Sequence, residues 1–458
     1  MIGQLFHGRT ALALSLACAL ALPLDANAQS GTHEQQLEQR VAQLEQQLHE
    51  LKQMIQAQQA APAPAPAPTA AAAPVQPAVP TFTSAPGISV AMHGFVSATA
   101  FNQDRSFTFG NGQNAEWPVA GSKGSLSGVD VRNTRFWFDF SGAEFAGAWQ
   151  GGGRIEADFF GGFNGAGAYS QQQATPRLRQ AYMTLANPDT GSKVILGQQW
   201  DLMFPGDAVP ASLAHIAFPL GYGTGMIGWR FPGAVWMQDL NHGATGPAWR
   251  LDMGVFEGAW SGPGNNINFL TAGNAGFRPQ VEARLHVQDK TWLAFAALRY
   301  SAVDLRGVGG TAPAPIKDKI TSIGYEVGGT WHPGPWTFKG LVYSGNALGQ
   351  IFGSMAQFGD IDETGGYVQA GYKFTPNWSA NVFYSMVKPD RNDVIAWRGF
   401  GSNGLLRNRQ AALNLQYTSG AYDLGIEWVH AKLDSTTDGV DRKTTKGNQL
   451  SVSALYHF

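Results

Sequence analysis

The chain has 458 residues and a formal charge of −2, from 31 Lys and Arg against 33 Asp and Glu. That balance gives no reason to expect nucleic-acid binding. Only 14% of the residues are charged, whereas 12% are aromatic and 57 are glycine, and the mean hydropathy is −0.16. The mixture is unusual for a soluble protein and typical of a membrane β-barrel, in which apolar residues occupy alternate positions and the average hydropathy stays low.

The first 28 residues have the pattern of an export signal. Arg9 precedes an apolar run over residues 11–24, and Ala26 and Ala28 are small residues where a signal peptidase cuts. Because the run is shorter than the ~20 apolar residues of a spanning helix, we predict a signal peptide over residues 1–28. The only cysteine, Cys18, lies inside this signal, which leaves the exported chain with no disulfide and no Cys-ligated metal.

Residues 32–58 carry a heptad pattern, in which apolar residues recur with spacings of 4, 3, 4, 3 and 4 and polar residues fill the outer positions. The apolar positions are Leu37, Val41, Leu44, Leu48, Leu51 and Ile55. They predict a short coiled coil that oligomerises because the following domain already brings the copies together. A lone amphipathic helix that packs on its own domain is the less favoured alternative.

Residues 59–86 are rich in proline and alanine, beginning with Ala-Pro repeats at 61–68. Such a segment is extended and semi-rigid, with a reach of at most ~85 Å at ~3.1 Å per residue. We predict a linker that holds the coiled coil away from the main domain on the periplasmic side.

Residues 87–458 predict an all-β fold, a 16-stranded antiparallel transmembrane β-barrel. Strand-like runs are separated by seven short and eight long connections in alternation, and fifteen connections join sixteen strands. In the last strand, Leu450, Val452, Ala454 and Tyr456 share one face, while mostly polar residues form the other. A soluble β-sandwich would show the same alternation within strands, but the alternating short and long connections favour the membrane barrel.

Aromatic residues flank the short connections, as expected where a barrel crosses the boundary between water and lipid. They are Trp149, Trp292, Trp331, Trp336, Phe374, Trp378, Tyr417 and Tyr422.

Charged residues in the predicted strands share the face opposite the apolar one, which places them in a water-filled lumen. The arginines predicted to line the pore are Arg135, Arg154, Arg177, Arg179, Arg284 and Arg299. Arginine offers bidentate donors that suit carboxylates, so a ladder of arginines indicates a preference for anions. The alternative is that these arginines pair with Asp139, Glu156 and Asp158 and only stabilise the wall.

Arg407 and Arg409 instead fall on the predicted lipid-facing side, close to a long loop. Unless a β-bulge reverses the parity of that strand, they are placed to meet the phosphates of lipopolysaccharide.

The long connection over residues 201–225 contains three prolines and an apolar middle at 213–218. We predict that it folds into the lumen as a constriction loop carrying Asp201, Asp207 and His215, because a barrel of sixteen strands is wide enough to need narrowing. An external loop is the alternative.

The coiled coil, the Ala-Pro linker and the barrel, together with the motifs at Arg177–Tyr182 and Gly197–Trp200, resemble the DcaP-like outer-membrane porins. The family more often has a smaller residue where Gln199 stands. The resemblance implies a homotrimeric, anion-preferring channel that admits dicarboxylates. It makes Arg177 and Arg179 the first candidates for contact with the solute.

We therefore expect a porin in the bacterial outer membrane, with its coil in the periplasm, that passes small anionic solutes, dicarboxylates above all, without a cofactor or a metal. A sugar-specific or general diffusion porin with a structural periplasmic coiled coil is the alternative. A sugar porin needs a track of aromatics through the lumen, and the aromatics here fall mostly on the lipid-facing parity or at strand ends. An enzyme is disfavoured because the sequence has no nucleophile elbow and no metal-spaced His pair. A second role in which the coil reaches the cell wall stays open.

Overall fold

The computed structural model describes residues 81–458, except 86, 110–111, 114, 123, 164–171, 259–278 and 305–318, together with Gln46. The predicted signal peptide, the coiled-coil positions and most of the predicted linker lie outside the described residues and stay predictions. No helix in the described part has the length and apolar character to span a membrane.

Antiparallel strands close on themselves into one barrel, because β18 pairs with β2 and β9 pairs with β10. The strands are β1 Thr81–Ala85, β2 Ile88–Gln103, β3 Leu126–Asp130, β4 Arg135–Glu144, β5 Gln150–Asp158, β6 Arg177–Asn187, β7 Ser192–Trp200, β8 Arg230–Asp239, β9 Ala248–Glu257, β10 Pro279–Gln288, β11 Trp292–Asp304, β12 Lys319–Trp331, β13 Trp336–Asn346, β14 Asp362–Lys373, β15 Trp378–Pro389, β16 Leu405–Ser419, β17 Tyr422–Ser435 and β18 Lys443–His457. The described parts of the long connections contain one α-helical turn, α1 Arg391–Ala396, and 3₁₀ turns at Gly206–Ala208, Leu348–Ile351 and Gly353–Ala356.

Of the eighteen described strands, β1 is a short addition to the sheet, and β3 and β4 are two halves of one span. Sixteen spans therefore form the barrel wall. Both halves of the divided span pair with β2. β3 pairs with residues 99–103 of β2 and β4 with residues 89–95, and residues 131–134 form the break between the two halves. Seven short and eight long connections then alternate along the chain. The predicted 16-stranded antiparallel barrel is confirmed.

The strand β1 lies within the predicted linker. Its residues Thr81 and Thr83 pair with Ala91 and Ser89 of β2, where β18 has already ended. The vacant edge of β2 explains this pairing, since an unpaired strand edge presents free N–H and C=O groups. The chain thus joins the barrel sheet before residue 87, the predicted start of the barrel.

Side chains of the wall alternate between an apolar outer face and a polar inner face. On β10, Val281 and Leu285 are 43% and 40% exposed on the outside, whereas Glu282 and Arg284 are 1% and 9% exposed on the inside. A soluble protein would have the opposite arrangement. The outer surface is therefore built for contact with hydrocarbon.

The aromatics at the short turns cluster in space as well as in sequence. Trp336 contacts Tyr372, Trp378 contacts Tyr417 and Tyr422 contacts Tyr456, with ring centroids 4.6 to 4.9 Å apart. These pairs join neighbouring strands at one end of the barrel, where an aromatic girdle marks the boundary of the apolar band.

Candidate functional site

The connection between β7 and β8 comprises residues 201–229 and lies inside the barrel. It extends the predicted constriction loop of residues 201–225 by four residues, and the name constriction loop is used for the whole connection. Ala211 exchanges hydrogen bonds with the Gln369 side chain, at 2.7 and 3.0 Å, and Gly221 N–H donates to Gln410 at 2.6 Å. A Cβ at Gly225 would lie 2.3 Å from the carbonyl oxygen of Gly366, so glycine allows the loop to approach the wall closely. The loop therefore crosses the lumen and contacts β14 and β16 on the far side.

Asp201 holds the two ends of the constriction loop together. Its carboxylate accepts hydrogen bonds from the N–H groups of Phe204, at 3.0 Å, and Trp229, at 3.2 Å. Beside it, Leu202 N–H donates to Glu282 at 2.6 Å. Asp207 is exposed in the first 3₁₀ turn, and the structure gives it no part in closing the loop.

His215 lies in the middle of the constriction loop, 2% exposed, with its Nδ1 atom 2.6 Å from Oε1 of Glu427 on β17. The other carboxylate oxygen of Glu427 accepts from Asn414, which also donates to the carbonyl of Ala211. This small network fixes the middle of the loop to the wall.

Two of the six predicted pore-lining arginines, Arg284 and Arg299, support the loop and the wall. Arg284 donates to the carbonyl oxygen of Phe204 at 2.9 Å and lies over the ring of Phe295. Arg299 contacts Glu282 and Ser322 and is 2% exposed. Neither side chain faces open space.

Arg177 and Arg179 come together at the other wall, as an ion-pair network on β5 and β6. Arg179 donates to Glu156 at 2.5 Å and to Asp158 at 2.8 Å, while Arg177 donates to Asp158 through two nitrogens, at 3.0 and 2.7 Å. Arg135 extends the same group, with its Nε atom 4.0 Å from Glu156. Pairing with carboxylates, which the sequence left as an alternative, therefore occurs for Arg177 and Arg179.

A β-bulge adds Gln180 to this network beside Arg179. The pairing of β5 with β6 shifts between Glu156 and Ala157, so that Arg179 and Gln180 both point inward while Leu178 is 53% exposed outside. Both side chains then reach Glu156, Gln180 at 3.0 Å. Strict alternation would have turned Gln180 to lipid.

Arg154 lies apart from this network, toward the end of the barrel that carries the short turns. It makes a two-pronged ion pair with Asp139 at 2.7 and 2.8 Å on the neighbouring strand. The ion pair is only partly buried. Arg154 is therefore more open to the lumen than Arg179, whose side chain is 3% exposed.

Arg230, the first residue of β8, is a candidate that the sequence reasoning missed. Its guanidinium lies between two indole rings, 4.7 Å from that of Trp200 and 4.4 Å from that of Trp229. Arg179 contacts the same Trp200 ring and Arg177 the same Trp229 ring, at 5.7 and 5.9 Å. Arg230 directly follows a long loop, so the alternation of side chains along a strand could not predict whether it faces the lumen or the lipid.

We call Arg135, Arg177, Arg179 and Arg230 the arginine cluster. Its four positive charges face two carboxylates, Glu156 and Asp158, which leaves a formal charge of +2. Nη1 of Arg230 and Nε and Nη2 of Arg135 are buried and have no hydrogen-bond partner among the described residues. An anion is the partner that would satisfy such donors.

Aromatic side chains from four different loops pack beside the arginine cluster. Consecutive ring centroids lie 4.7 to 6.0 Å apart, and the rings belong to Phe109, Phe160, Phe218, Tyr222, Trp229 and Phe352. Phe109, Trp229 and Phe352 line a cavity of about 810 Å³ at the long-loop end, which Arg230 also lines. The expectation that aromatics avoid the lumen was drawn from the strands, and it does not hold for these loop residues.

The carboxyl group of Glu116, in the loop between β2 and β3, is buried at 1% exposure, next in sequence to Trp117, which lines the cavity. Burial raises its pKa well above the usual range. Its Oε1 atom has no hydrogen-bond partner within the described residues, so the carboxyl is an electrostatically costly feature of the lumen.

Solved structures of outer-membrane proteins share this fold. The outer membrane channel DcaP of Acinetobacter baumannii matches with a TM-score of 0.61 and 20% identity, covering 82% of this chain and 99% of that one. OmpT of Vibrio cholerae matches with a TM-score of 0.50 and 13% identity, covering 83% and 100%. OmpF of Salmonella typhi, solved in complex with daunomycin, matches with 0.50 and 13%, covering 81% and 98%. No protein-family model and no curated protein matches the chain.

The fold is thus that of the outer-membrane porins. The resemblance to the DcaP-like porins is confirmed at the level of this fold, over nearly the whole length of the DcaP channel.

Proposed function

We propose that this protein is a porin of the bacterial outer membrane that passes small anionic solutes, with dicarboxylates as the preferred class. The observation that carries the proposal is the arginine cluster, whose formal charge of +2 and free, buried N–H donors lie beside the constriction loop. In a narrow, partly desolvated passage these charges act more strongly on a permeating ion than they would in bulk water.

A dicarboxylate suits the cluster better than a monovalent anion. Arg135 and Arg230 have free donors, and each guanidinium accepts one carboxylate in a bidentate fork. Arg177 and Arg179 balance the negative charges of Glu156 and Asp158, so that the formal charge of +2 equals the charges of Arg135 and Arg230. A solute with two carboxylates would pass by exchanging one fork for the next.

The test is the reversal potential in planar bilayers under a salt gradient. The double variant Arg177→Ala with Arg179→Ala removes the net charge of the cluster and is expected to lower anion selectivity. The variant Glu156→Gln raises the net charge and is expected to shift the potential the other way, which guards against a misfolded double variant.

The matched control is Lys432→Ala with Lys446→Ala. These lysines pair across β17 and β18 on the outer face, so the variant removes two charges on the lipid side of the wall. Reversal potentials that stay the same in all three variants would remove the arginine cluster from the mechanism.

A sugar-conducting channel is the second candidate, favoured by the aromatic rings around the cavity of about 810 Å³. Sugar rings pack on aromatic faces, as the apolar part of an anionic solute also does. Single-channel recordings with competing dicarboxylates, sugars and phosphate distinguish the two functions. Block by a dicarboxylate below the concentration at which sugars act supports the anion channel, and the reverse order supports the sugar porin.

We propose further that the protein is a homotrimer joined chiefly through its barrels, with the coiled coil over residues 32–58 in the periplasm. Deletion of residues 29–60 should then leave trimers on native gels. A monomeric product would show that the coil, rather than the barrel, holds the copies together.

A further inference from the structure

Cationic side chains are concentrated on the outer face of three adjacent strands, at the long-loop end of the barrel. Arg409, Lys432 and Lys446 lie opposite one another across β16, β17 and β18, and Arg407, Asp434 and Thr444 form the next rung toward the loops. Arg442 reaches the same place from the connection between β17 and β18. We call Arg407, Arg409, Lys432, Arg442 and Lys446 the basic patch.

One carboxylate organises the arginines of the patch. Asp434 accepts hydrogen bonds from Arg407 and Arg409, each at 3.1 Å, and from Arg442, while Thr444 donates to its other oxygen at 2.7 Å. Its side chain is fully covered, at 0% exposure, whereas those of the arginines are 25 to 50% exposed. The three guanidiniums are thus held in one place and turned outward.

The patch keeps a large excess of positive charge. Five cations surround Asp434, which leaves a formal charge of +4, and Nε of Arg409 is buried without a hydrogen-bond partner in the described part of the chain. On the adjoining strands, Lys388 of β15 adds a further cation, and the carboxylate of Asp104 is bound to Asn448 at 2.7 Å. Asp438, in the connection to β18, turns its carboxylate to the N–H groups of its own loop.

The height of the patch matches the headgroup level of the membrane. Tyr422, in the aromatic girdle, and Asp434 are twelve residues apart on β17. This separation is ~40 Å along the strand at ~3.3 Å per residue, or ~30 Å along the barrel axis at a tilt of ~40°. Since the apolar band of such barrels is ~25 Å tall, Asp434 lies just beyond its outer edge. Below the patch, Leu413, Trp428 and Leu450 form an apolar rung that faces the acyl chains.

We propose that the basic patch binds the phosphate groups of a phosphorylated lipid of the outer leaflet, lipopolysaccharide. Arginine forks suit phosphate oxygens, and the patch offers three guanidiniums fixed by one carboxylate together with two lysines. Soluble phosphate would gain the same contacts but could not use the apolar rung, which lies one rung further down, below Ala411, His430 and Asn448. The lipid is therefore the occupant that the geometry favours.

The test measures lipopolysaccharide retained by the full-length protein after extraction from outer membranes in a mild detergent. The triple variant Arg407→Gln, Arg409→Gln and Arg442→Gln should retain at least fivefold less lipid per barrel than the unaltered protein. The matched control is Lys290→Gln, Lys319→Gln and Arg398→Gln, which removes three exposed cations elsewhere and should retain the normal amount.

A second variant keeps the test independent of the folding of the triple variant. Lys432→Gln with Lys446→Gln removes two cations of the patch and leaves the hydrogen bonds of Asp434 in place, so it should retain less lipid than the unaltered protein. Re-addition of diphosphorylated lipid A to delipidated protein should succeed, and dephosphorylated lipid A should bind at least fivefold less.

Four outcomes would overturn the proposal, and three of them come from the variants and the two forms of lipid A. They are equal retention in the triple variant and the control, equal binding of the two forms of lipid A, or a change of oligomeric state in the triple variant with lipid retention unaltered. The last outcome would assign the patch to a contact between copies of the chain. Inorganic phosphate that displaces the lipid at low concentration would likewise show that the acyl chains contribute nothing.

Discussion

The Nδ1 atom of His215, in the middle of the constriction loop, lies 2.6 Å from a carboxylate oxygen of Glu427 on the far wall of the barrel. Both side chains are almost fully buried, at 1% and 4% exposure. A loop that leaves the wall between β7 and β8 is thereby fixed to β17. The width of the passage depends on such attachments, because the loop contributes no strand of its own.

Replacing His215 with alanine should loosen the constriction loop. The variant leaves Glu427 buried without its main partner, which costs about 1–3 kcal/mol for an unsatisfied polar group. Single-channel recordings should show a larger and noisier conductance, and thermal unfolding in detergent should begin at a lower temperature. His430→Ala is the control, since that imidazole bonds Asn448 on the outer face. Conductance equal in both variants would mean that this contact does not set the width of the pore.

Arg230→Gln should lower anion selectivity at little cost in stability. Arg230 has no ion pair with a described carboxylate, and its Nη1 atom is free, so the substitution strands no partner. By contrast, Arg179→Gln removes one charged partner of Glu156 and one of Asp158, and breaking a buried pair of this kind costs about 3–5 kcal/mol. Reversal potentials and melting temperatures measured together separate the two effects. A variant at Arg230 with normal selectivity would place that side chain outside the ion path.

Glu116→Gln should stabilise the barrel at neutral and alkaline pH. Burial raises the pKa of Glu116 in the folded state, so the folded protein binds a proton that the unfolded chain releases. Stability is then lost as the pH rises from the usual carboxyl range toward the raised folded-state pKa. Glutamine removes this dependence, because a neutral amide takes up no proton on folding, and its advantage over glutamate should grow by up to about 1.4 kcal/mol per pH unit through that window.

The measurement for Glu116 is the unfolding midpoint in detergent as a function of pH. Glu144→Gln, at the exposed end of β4, is the control and should leave the curve unchanged. A variant at Glu116 whose midpoint follows the same pH curve as the unaltered protein would contradict the prediction.

Val452→Lys should destabilise the barrel far more than Tyr456→Lys, although both residues lie on the same face of β18. Val452 is 55% exposed near the middle of the apolar band, and Tyr456 is 43% exposed in the girdle at its edge. A lysine costs about 2–4 kcal/mol at the midplane of a bilayer and about 0–1 kcal/mol near the interface. Folding titrations into lipid vesicles measure the difference. Equal losses at the two depths would be inconsistent with a lipid-facing surface.

The strand count and the assignment of faces followed from the sequence because alternation with a period of two is a local property. Residues such as Val452 and Glu282 needed only their neighbours to be placed outside and inside. The alternation failed at Gln180, because a bulge depends on pairing with β5 and leaves no mark in β6 itself. The alternation also did not predict the break that divides the second span into β3 and β4, since both halves pair with the same partner strand.

The candidate site was harder to predict, because half of it comes from loops. Arg177 and Arg179 were found from strand parity and a motif, and their carboxylate partners Glu156 and Asp158 were recognised as an open alternative. Phe109 and Phe352 were missed because loop residues carry no periodicity that relates them to the lumen, and Arg230 was missed because it is the first residue after a long loop.

By itself the sequence determined the class of structure: alternating side chains and alternating connection lengths allow a closed barrel of sixteen strands with lipid outside. Only the tertiary structure decided what the lumen contains. The physical reason is that local patterning fixes which solvent a side chain meets. The lumen instead depends on segments that meet only after the barrel has closed. These segments form the contacts of the constriction loop, bring three arginines to Trp200 and Trp229, and leave the residual positive charge.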